Sequence, residues 1–279
     1  MYQKILAAVN EHLNSEVAAR YALHLAKELD AILFVCFVAE KGMSQQNRRS
    51  AEDAMKRLFN EAGRLHIQTE TIAEIGDPVV EIGKIVRHEG IRLVFAATRR
   101  EDIQKRFFTG TMARSLSLKL PCSVAIVRVV HSGRIHPKRV LVPLKAKVDH
   151  VNERSSFVTH MANAFGSKVF VFHTPKPVTR FFYGEIHLSP PEWEERISRD
   201  ISHFMEHLKQ HDIEHEGRLL PGRTARNITM EAFAKRHDLI IMGASERSLL
   251  TSLLKGNPVE QVLRETPCDL IILKPRHEN

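Results

Sequence analysis

The sequence predicts an α/β protein built from two internally duplicated five-stranded parallel sheets flanked by helices. Short apolar runs alternate along the 279 residues with stretches whose apolar residues recur at helical spacing. Three pairs of positions also recur 146 residues apart: Ala97 and Gly243, Gly110 and Gly256, Pro121 and Pro267. Strand–helix alternation favours parallel βαβ units. The fixed spacing indicates two copies of one unit, which we place at residues 1–133 and 134–279.

Each element of the first half follows from its apolar pattern. Five apolar runs predict strands at Ile5–Val9, Ile32–Val38, Gln68–Ile75, Leu93–Ala97 and Val124–Val130. Helical spacing predicts four helices, marked by Val17 to Leu29, Ala54 to Ala62, Val79 to Val86, and Met112 to Leu120. Pro78, after Gly76–Asp77, is placed to begin the third helix. The polar stretch Gly42–Ser50 is interpreted as a loop.

The second half repeats this pattern after a joint at Val130–Lys138. Its strands are predicted at Val140–Leu144, Val169–Phe172, Leu219–Gly222, His237–Gly243 and Leu270–Leu273. The first-half counterpart of Pro175–Pro191 is shorter, and this segment carries three aromatic residues, Phe181, Phe182 and Tyr183. We interpret them as packing on their own domain; the alternative is a lid or a contact surface. The fifth strand of each half leaves an edge exposed, so we expect the halves to meet through Val124–Val130 and Leu270–Leu273 as a pseudo-dimer.

Composition narrows the class of protein. The net charge of +8 divides evenly, +4 in each half, so nucleic-acid binding is not indicated. Three cysteines without a CxxC pair favour a reducing compartment. The sequence begins without the apolar segment of a signal peptide, and its longest apolar run is far shorter than a membrane span. We therefore expect a cytoplasmic protein without membrane contact.

The loop after each fourth strand carries the main functional signal. It runs Ala97–Thr98–Arg99–Arg100, nine residues and Gly110–Thr111 in the first half. In the second half it runs Gly243–Ala244–Ser245–Glu246, nine residues and Gly256–Asn257. With these residues the chain resembles a tandem universal stress protein, a family whose nucleotide-binding members share Gly-x-x-Gly, nine residues, then Gly-Ser/Thr. The resemblance implies a Rossmann-like, adenine nucleotide alpha hydrolase-like fold with strand order 3-2-1-4-5.

Both loops depart from the family motif. The first half loses both leading glycines, and Asn10 stands where the family has an aspartate that contacts the nucleoside. The second half has Glu246 for a glycine, Asn257 for Ser/Thr, and Lys145 in place of the aspartate. The resemblance implies these nucleotide-binding positions: Asn10, Val38, Ala97, Arg100, Gly110, Thr111, Lys145, Gly243, Ser245, Gly256 and Asn257. ATP or another adenine nucleotide, with or without Mg²⁺, is the implied cofactor.

Simpler explanations exist for several of these residues. Thr111 and Asn257 are good helix N-caps, so capping alone explains them. Arg99, Arg100, Lys105, Arg106 and Arg114 make the first loop the better phosphate site by charge, or form a solvated surface. The leading glycine makes the second site better by backbone clearance, although Glu246 would repel phosphate unless Lys145, Arg247 or a metal intervened. The sequence leaves this choice open.

Other chemistry is not indicated. The motifs GxxxxGK[ST], HExxH and GxSxG do not occur. His203, His207, His211 and His215 recur every fourth residue and could hold a metal on a helix, but the repeat places His215 in the third strand, so we interpret the row as a polar helix face.

We therefore predict a stress-response regulator that binds nucleotide and acts through a protein partner, with at most weak nucleotide hydrolysis. A homodimer is compatible with this function. The alternative is a nucleotide-free scaffold whose loops have lost the ligand.

Overall fold

A computed structural model of the chain describes residues 2–98, 111–133, 135–174, 197–219, 224–244 and 258–276. Within these ranges ten strands and eight helices alternate. The strands are β1 Lys4–Val9, β2 Ile32–Ala39, β3 Thr69–Ile75, β4 Leu93–Ala97, β5 Ser123–Arg128, β6 Arg139–Leu144, β7 Lys168–His173, β8 His215–Leu219, β9 Leu239–Gly243 and β10 Asp269–Lys274. The helices are α1 Leu13–Leu29, α2 Gln45–Arg64, α3 Pro78–Glu89, α4 Met112–Lys119, α5 Val151–Phe165, α6 Arg199–Gln210, α7 Thr224–Ala234 and α8 Pro258–Glu265.

The strands form one continuous sheet in the order β3-β2-β1-β4-β5-β10-β9-β6-β7-β8. Each half therefore has the predicted order 3-2-1-4-5, with parallel neighbours throughout. The halves meet where predicted, through β5 and β10, which pair antiparallel with Ile272 opposite Ile126. This pairing joins the two expected sheets into one.

Helices cover both faces of the sheet. One apolar core gathers side chains of α1, α2, α5 and α6, and the other gathers those of α3, α4, α7 and α8. The central strands therefore carry apolar side chains on both faces of the sheet. In β2, for example, every residue after Ile32 is buried. The edge strands β3 and β8 are more polar, and all their residues except Leu219 are exposed or half-buried.

The boundary between the halves also contains buried hydrogen bonds. The Tyr21 hydroxyl on α1 donates to the Asp269 carboxylate at the start of β10, across 2.8 Å. From the other half, Glu153 on α5 accepts from the Tyr2 hydroxyl at 2.7 Å and from the Ser123 hydroxyl at the start of β5. In each half, a side chain of the first helix thus reaches the start of the other half's fifth strand. Tyr21 contacts Asp269 there, and Glu153 contacts Ser123.

The predicted loop Gly42–Ser50 is wrong after Ser44. The helix α2 begins at Gln45, and the Ser44 hydroxyl caps it by accepting a hydrogen bond from the Asn47 amide. Its first two turns, Gln45–Ser50, are exposed, so they carry no apolar side chains at helical spacing. The signal available in the sequence was the N-cap serine.

Several expected segments lie outside the described residues. They include all of Pro175–Pro191, the end of the predicted strand Leu219–Gly222, and most of the two motif loops. The strand β8 is described from His215 to Leu219, which places the fourth histidine of the row in a strand as expected.

The second half contains a polar cluster where the first half is apolar. Arg218, Glu231 and His237 lie 146 residues after Ile72, Ile85 and Ile91. Glu231 is 4% exposed, and its Oε1 lies 3.5 Å from the Arg218 Nε. The cluster surrounds Phe170, whose ring centroid is 4.8 Å from that of His237 and 5.8 Å from the Arg218 guanidinium. Burial acts to raise the pKa of Glu231, but His237 and Arg218 outweigh it and lower that pKa below its usual value.

Candidate functional site

The first half has a cavity of about 370 Å³ at the carboxyl edge of β1 and β2. The predicted residues Asn10 and Val38 line it, together with Met112 in the first turn of α4. This is the edge at which open α/β sheets place their ligands. Its described charged side chains are two carboxylates, Glu11 and Glu40.

The predicted contacts of the first half already have structural roles. The Asn10 side-chain oxygen accepts a hydrogen bond from the His12 backbone amide at 2.9 Å, and the Asn10 backbone amide donates to the Ser15 hydroxyl at 3.0 Å. The Thr111 hydroxyl caps α4 by accepting from the Arg114 amide at 3.3 Å. Thr111 is 7% exposed, so its side chain is largely withdrawn from solvent. Ala97 ends β4 at the same edge and is half-buried.

The second half has a larger cavity, of about 650 Å³, at the equivalent edge. It contains the predicted residues Lys145 and Gly243, and the first residues of α8, Pro258 and Val259. Its charged lining among the described residues is Lys145, Lys147, Arg154 and Asp149. Its apolar walls come from the side chains of Leu144, Phe172, Ile228, Met242 and Val259. The described lining therefore favours an anion with an apolar portion.

Arg154 is the central charged residue of this cavity. It lies on α5, and its guanidinium occupies the space above Gly243, where a built Cβ would overlap it. Its terminal nitrogen lies 3.4 Å from the Ala244 carbonyl, a weak contact, and no described group accepts from its buried Nε. Burial lowers the pKa of Arg154, while the charges of Asp149 and Glu153 act to raise it. An arginine keeps its charge at neutral pH in spite of such a shift, so Arg154 is an under-used donor.

This arrangement changes one expectation from the sequence. The clearance expected above Gly243 is filled by Arg154, because the glycine lets the guanidinium lie directly on the backbone. Among described residues, cations predominate in the lining of the second cavity and carboxylates line the first. The prediction that the first site is the better phosphate site by charge depends on Arg99 to Arg106, which lie outside the described residues, and it stays a prediction.

The remaining predicted site residues are also outside the described part of the chain. They are Arg100, Gly110, Ser245, Gly256 and Asn257. Their assignment to a nucleotide site stays a prediction.

Sequence reasoning missed Arg154, Lys147 and Glu11. Arg154 lies on the buried face of α5, in line with Val158 and Met161, and its guanidinium reaches Gly243 of β9. The signal in the sequence was a charged residue at the helical spacing of these apolar residues. In the first half the equivalent position of α1 is Ala18, counted back from the matching helix ends at Asp30 and Gly166. A comparison of the two halves position by position would have marked this alanine-to-arginine difference.

The histidine row is divided as predicted. His203 and His207 lie on α6, His211 caps its C-terminus, and His215 begins β8. His203 and His211 are exposed, but His207 is half-buried. Within the described ranges, no group of three or more His, Cys, Asp or Glu side chains has the arrangement of a metal site.

Two further expectations concern the cysteines and the membrane. Cys36, Cys122 and Cys268 are free and buried, and burial raises the pKa of each thiol to about 12. In the part of the chain that the structure describes, every helix is too short or too polar to cross a bilayer.

Comparison with known proteins gives a consistent assignment. The family model of the universal stress protein family matches twice, over residues 1–128 and 138–274. A universal stress protein of Thermus aquaticus is 27% identical over 131 residues, covering 45% of this chain and 91% of the relative. Universal stress protein YxiE of Bacillus subtilis (strain 168) is 26% identical over 148 residues, covering 46% of this chain and 100% of the relative.

Solved structures extend the similarity over both halves. A universal stress protein from Archaeoglobus fulgidus DSM 4304 superposes with a TM-score of 0.67 at 17% identity, covering 99% of this chain and 97% of that one. At this identity the match shows a common fold. The double match of the family model shows more: this chain belongs to the universal stress protein family, as a tandem of two such domains.

Proposed function

We propose that the chain is a regulatory protein of the stress response that binds an adenine nucleotide in the cavity of its second half. The observation that carries this proposal is the charged lining of that cavity, in which Lys145, Lys147 and Arg154 outnumber the single described carboxylate, Asp149. A cluster of cations at the carboxyl edge of a parallel sheet suits a phosphate-bearing ligand.

The polarity of the cavity supports the same ligand class. Phe172, Ile228 and Met242 offer apolar surface for a base in the same cavity as the cationic side chains. The described lining supplies a single carboxylate, Asp149, as a ligand for Mg²⁺. A Mg²⁺ ion would therefore be held mainly by the phosphates of the nucleotide.

Arg154 has the chemistry to hold the phosphate. Its Nε is buried and without a described acceptor, and its other contact here, to the Ala244 carbonyl, is long at 3.4 Å. A phosphate oxygen would accept from this guanidinium in a charge-assisted bond, which is worth more than a neutral one. The bond would also supply the missing partner of a buried donor.

The first cavity suits phosphate less well in its described part. Glu11 and Glu40 line it, and the Glu11 Oε2 is buried without a described partner. Two carboxylates would repel a nucleotide phosphate unless cations of the loop at 99–110 offset them. We therefore expect one nucleotide per chain, while a stoichiometry of two would favour binding at the first-half site of Asn10, Arg100 and Thr111 as well.

Calorimetric titration of the purified protein with ATP, ADP and AMP tests the proposal. Arg154→Met should weaken binding at least tenfold, because it keeps the aliphatic stem and removes a charge-assisted bond worth roughly 1.5–3 kcal/mol. Lys27→Met is the matched control: it removes one exposed cation at the end of α1 and should leave affinity unchanged.

The second candidate function is the nucleotide-free scaffold. One observation favours it: Arg154 already fills the space above Gly243, so the ligand must share or displace that position. If ATP, ADP and AMP all give no heat at millimolar concentration, the scaffold is the better description. Family membership also supports four further parts of the proposal. The protein regulates a stress response, acts through a protein partner, forms a homodimer and is located in the cytoplasm.

A further inference from the structure

The contact between α5 and α6 in the second half is built from neutral groups and histidines. The His203 Nε2 lies 2.8 Å from the Asn152 side-chain oxygen and links α6 to the first turn of α5. One turn further along α6, the His207 and His211 rings lie 4.3 Å apart. The His207 Nε2 is shielded from solvent, and no described group lies within hydrogen-bonding distance of it. A proton added to His207 would therefore place a positive charge beside another histidine rather than beside a carboxylate.

The first half makes the same helix contact with full charges. Glu16 on α1, 3% exposed, pairs with the Arg57 guanidinium of α2 at 2.8 Å. Arg20 on α1 pairs with Glu61 of α2 at 2.9 Å. These four residues form a closed network of opposite charges between the two helices.

The two contacts correspond residue by residue. The first helices align at their C-caps, Asp30 and Gly166, which places Asn152 at Glu16 and Ser156 at Arg20. The second helices align at their own C-caps, Leu65 and His211, which places His203 at Arg57 and His207 at Glu61. The pair Glu16–Arg57 has therefore become Asn152–His203. The pair Arg20–Glu61 has become Ser156 and His207.

The charged groups facing His207 point to acid sensitivity. Burial lowers the pKa of His207, and the neighbouring His211, His203 and His160 lower it further. His203 and His211 belong to α6 itself, and His160 faces it from α5. Burial also lowers the pKa of His160, against the opposing charge of Glu28 on α1, whose carboxylate lies 3.7 Å from the His160 Nδ1.

The sign of the pH effect follows from these directions. A histidine whose pKa is lower in the folded state binds protons more readily when unfolded, so stability falls as pH drops below about 6.5. The first-half network responds only at lower pH. Burial raises the pKa of Glu16, but Arg57 and Arg20 outweigh it and hold that pKa below 4.5. Between about pH 5 and 6.5, protonation therefore acts on α6 and leaves α2 unchanged.

The helix α6 also holds the rim of the second cavity. The Asp200 carboxylate in its first turn accepts a hydrogen bond from the Val148 amide at 2.8 Å. Val148 lies between Lys147 and Asp149, both in the cavity lining. His203 holds Asn152, two residues before Arg154. Loosening α6 would therefore free the segment that presents these cavity cations.

We propose that α6 is an acid-released clamp: protonation of His207 and His160, within the cluster that they form with His203 and His211, detaches α6 from α5 and frees the rim of the second cavity. The effect on ligand affinity rests on the proposed nucleotide site, whereas the release of α6 does not. The first half serves as an internal control, because its α2 makes the same contact through the charge network.

Hydrogen exchange measured by mass spectrometry on the full chain, without nucleotide, tests the release. Protection factors of peptides from Arg199–Gln210 and Gln45–Arg64 are compared at pH 7.5 and 5.5, corrected for intrinsic exchange rates. We expect α6 to lose protection several-fold at pH 5.5 while α2 keeps its own. Equal changes in the two helices, or none in α6, would overturn the proposal.

A transplanted pair provides the matched variant. Asn152→Glu with His203→Arg installs the first-half ion pair in the second half and should reduce the loss of α6 protection at pH 5.5. An undiminished loss in this variant, folded at pH 7.5, contradicts the role of the cluster. If the variant does not fold, NMR titration of the wild-type His207 ring, assigned by its absence in His207→Gln, decides: a midpoint at or above 6.5 rejects the clamp.

Measuring AMP affinity at two pH values separates this inference from the proposed function. If AMP binds, its affinity should fall from pH 7.5 to 5.5 more in the wild type than in the transplanted variant. An equal fall in both would reject the coupling of α6 to the cavity. If AMP does not bind at all, the nucleotide proposal fails and the exchange experiment still decides the clamp.

Discussion

Replacing Arg218, Glu231 and His237 together with isoleucine should stabilise the protein. The first half provides the template, because Ile72, Ile85 and Ile91 occupy the same three positions there. Glu231 is almost fully buried, and the desolvation of such a charge offsets much of what its ion pair contributes. Exchanging buried ion pairs for well-packed apolar groups is neutral or stabilising by about 1–4 kcal/mol.

The structure places the expected gain at the lower end of that range. The Arg218 side chain is 26% exposed and also pairs with Glu216 at 2.7 Å, so part of its charge is solvated and gains little from removal. We expect about 1 kcal/mol, or a rise in Tm of roughly 2–4 °C. Arg218→Ile alone should instead destabilise by roughly 2–3 kcal/mol, because it strips the buried Glu231 of its arginine partner.

Urea denaturation followed by circular dichroism measures both variants. A triple variant less stable than the wild type by more than about 1 kcal/mol would refute the reasoning, as would an Arg218→Ile variant as stable as the wild type. The pH dependence is a second check. The lowered pKa of Glu231 gives stability that is present above pH 4.5 and lost as pH falls, and the triple variant should lack this loss.

The remaining predictions concern single contacts. Thr111→Ala should lower the free energy of unfolding by about 1 kcal/mol because it removes the cap of α4. An unchanged free energy of unfolding in urea would show that the cap does not stabilise the helix. Tyr21→Phe should cost roughly 1–3 kcal/mol, since it leaves the buried Asp269 short of one donor, and an unchanged urea midpoint would contradict this. Gly243→Ala should displace the Arg154 guanidinium and alter nucleotide affinity, which calorimetry would detect. The three thiols, with pKa values of about 12, should resist iodoacetamide at pH 8 until the protein unfolds, and rapid labelling of the native protein would argue against their burial.

The sequence predicted the buried parts of the fold well because burial leaves a pattern. The strands β1, β4 and β9 are covered on both faces, so each appears as an apolar run whose limits agree within two residues with the structure. The first turns of α2 and the edge strand β8 face solvent, and the same patterns are weak there. Gly42–Ser50 was mistaken for a loop for this reason.

The site was harder to predict because it depends on where the helices cross the sheet. Asn10 and Lys145 could be placed at the carboxyl edge, since each directly follows the first strand of its half. Arg154 reaches the same edge from the first turn of α5, and no spacing rule connects it with Gly243. The spacing of residues along the chain does not show which charges tertiary packing brings together.

The antiparallel pairing of β5 with β10 has a consequence for how the two halves can diverge. In a dimer of identical subunits, every substitution occurs on both sides of the twofold axis, so paired positions must suit each other symmetrically. Here the two halves share one chain, and their pairing is an intramolecular event that dilution does not weaken. Ser123 can therefore begin one fifth strand while Asp269 begins the other, each with its own partners. The same covalent link lets the described charged lining of one cavity be carboxylate while that of its counterpart is mostly cationic, a difference that two identical subunits cannot adopt.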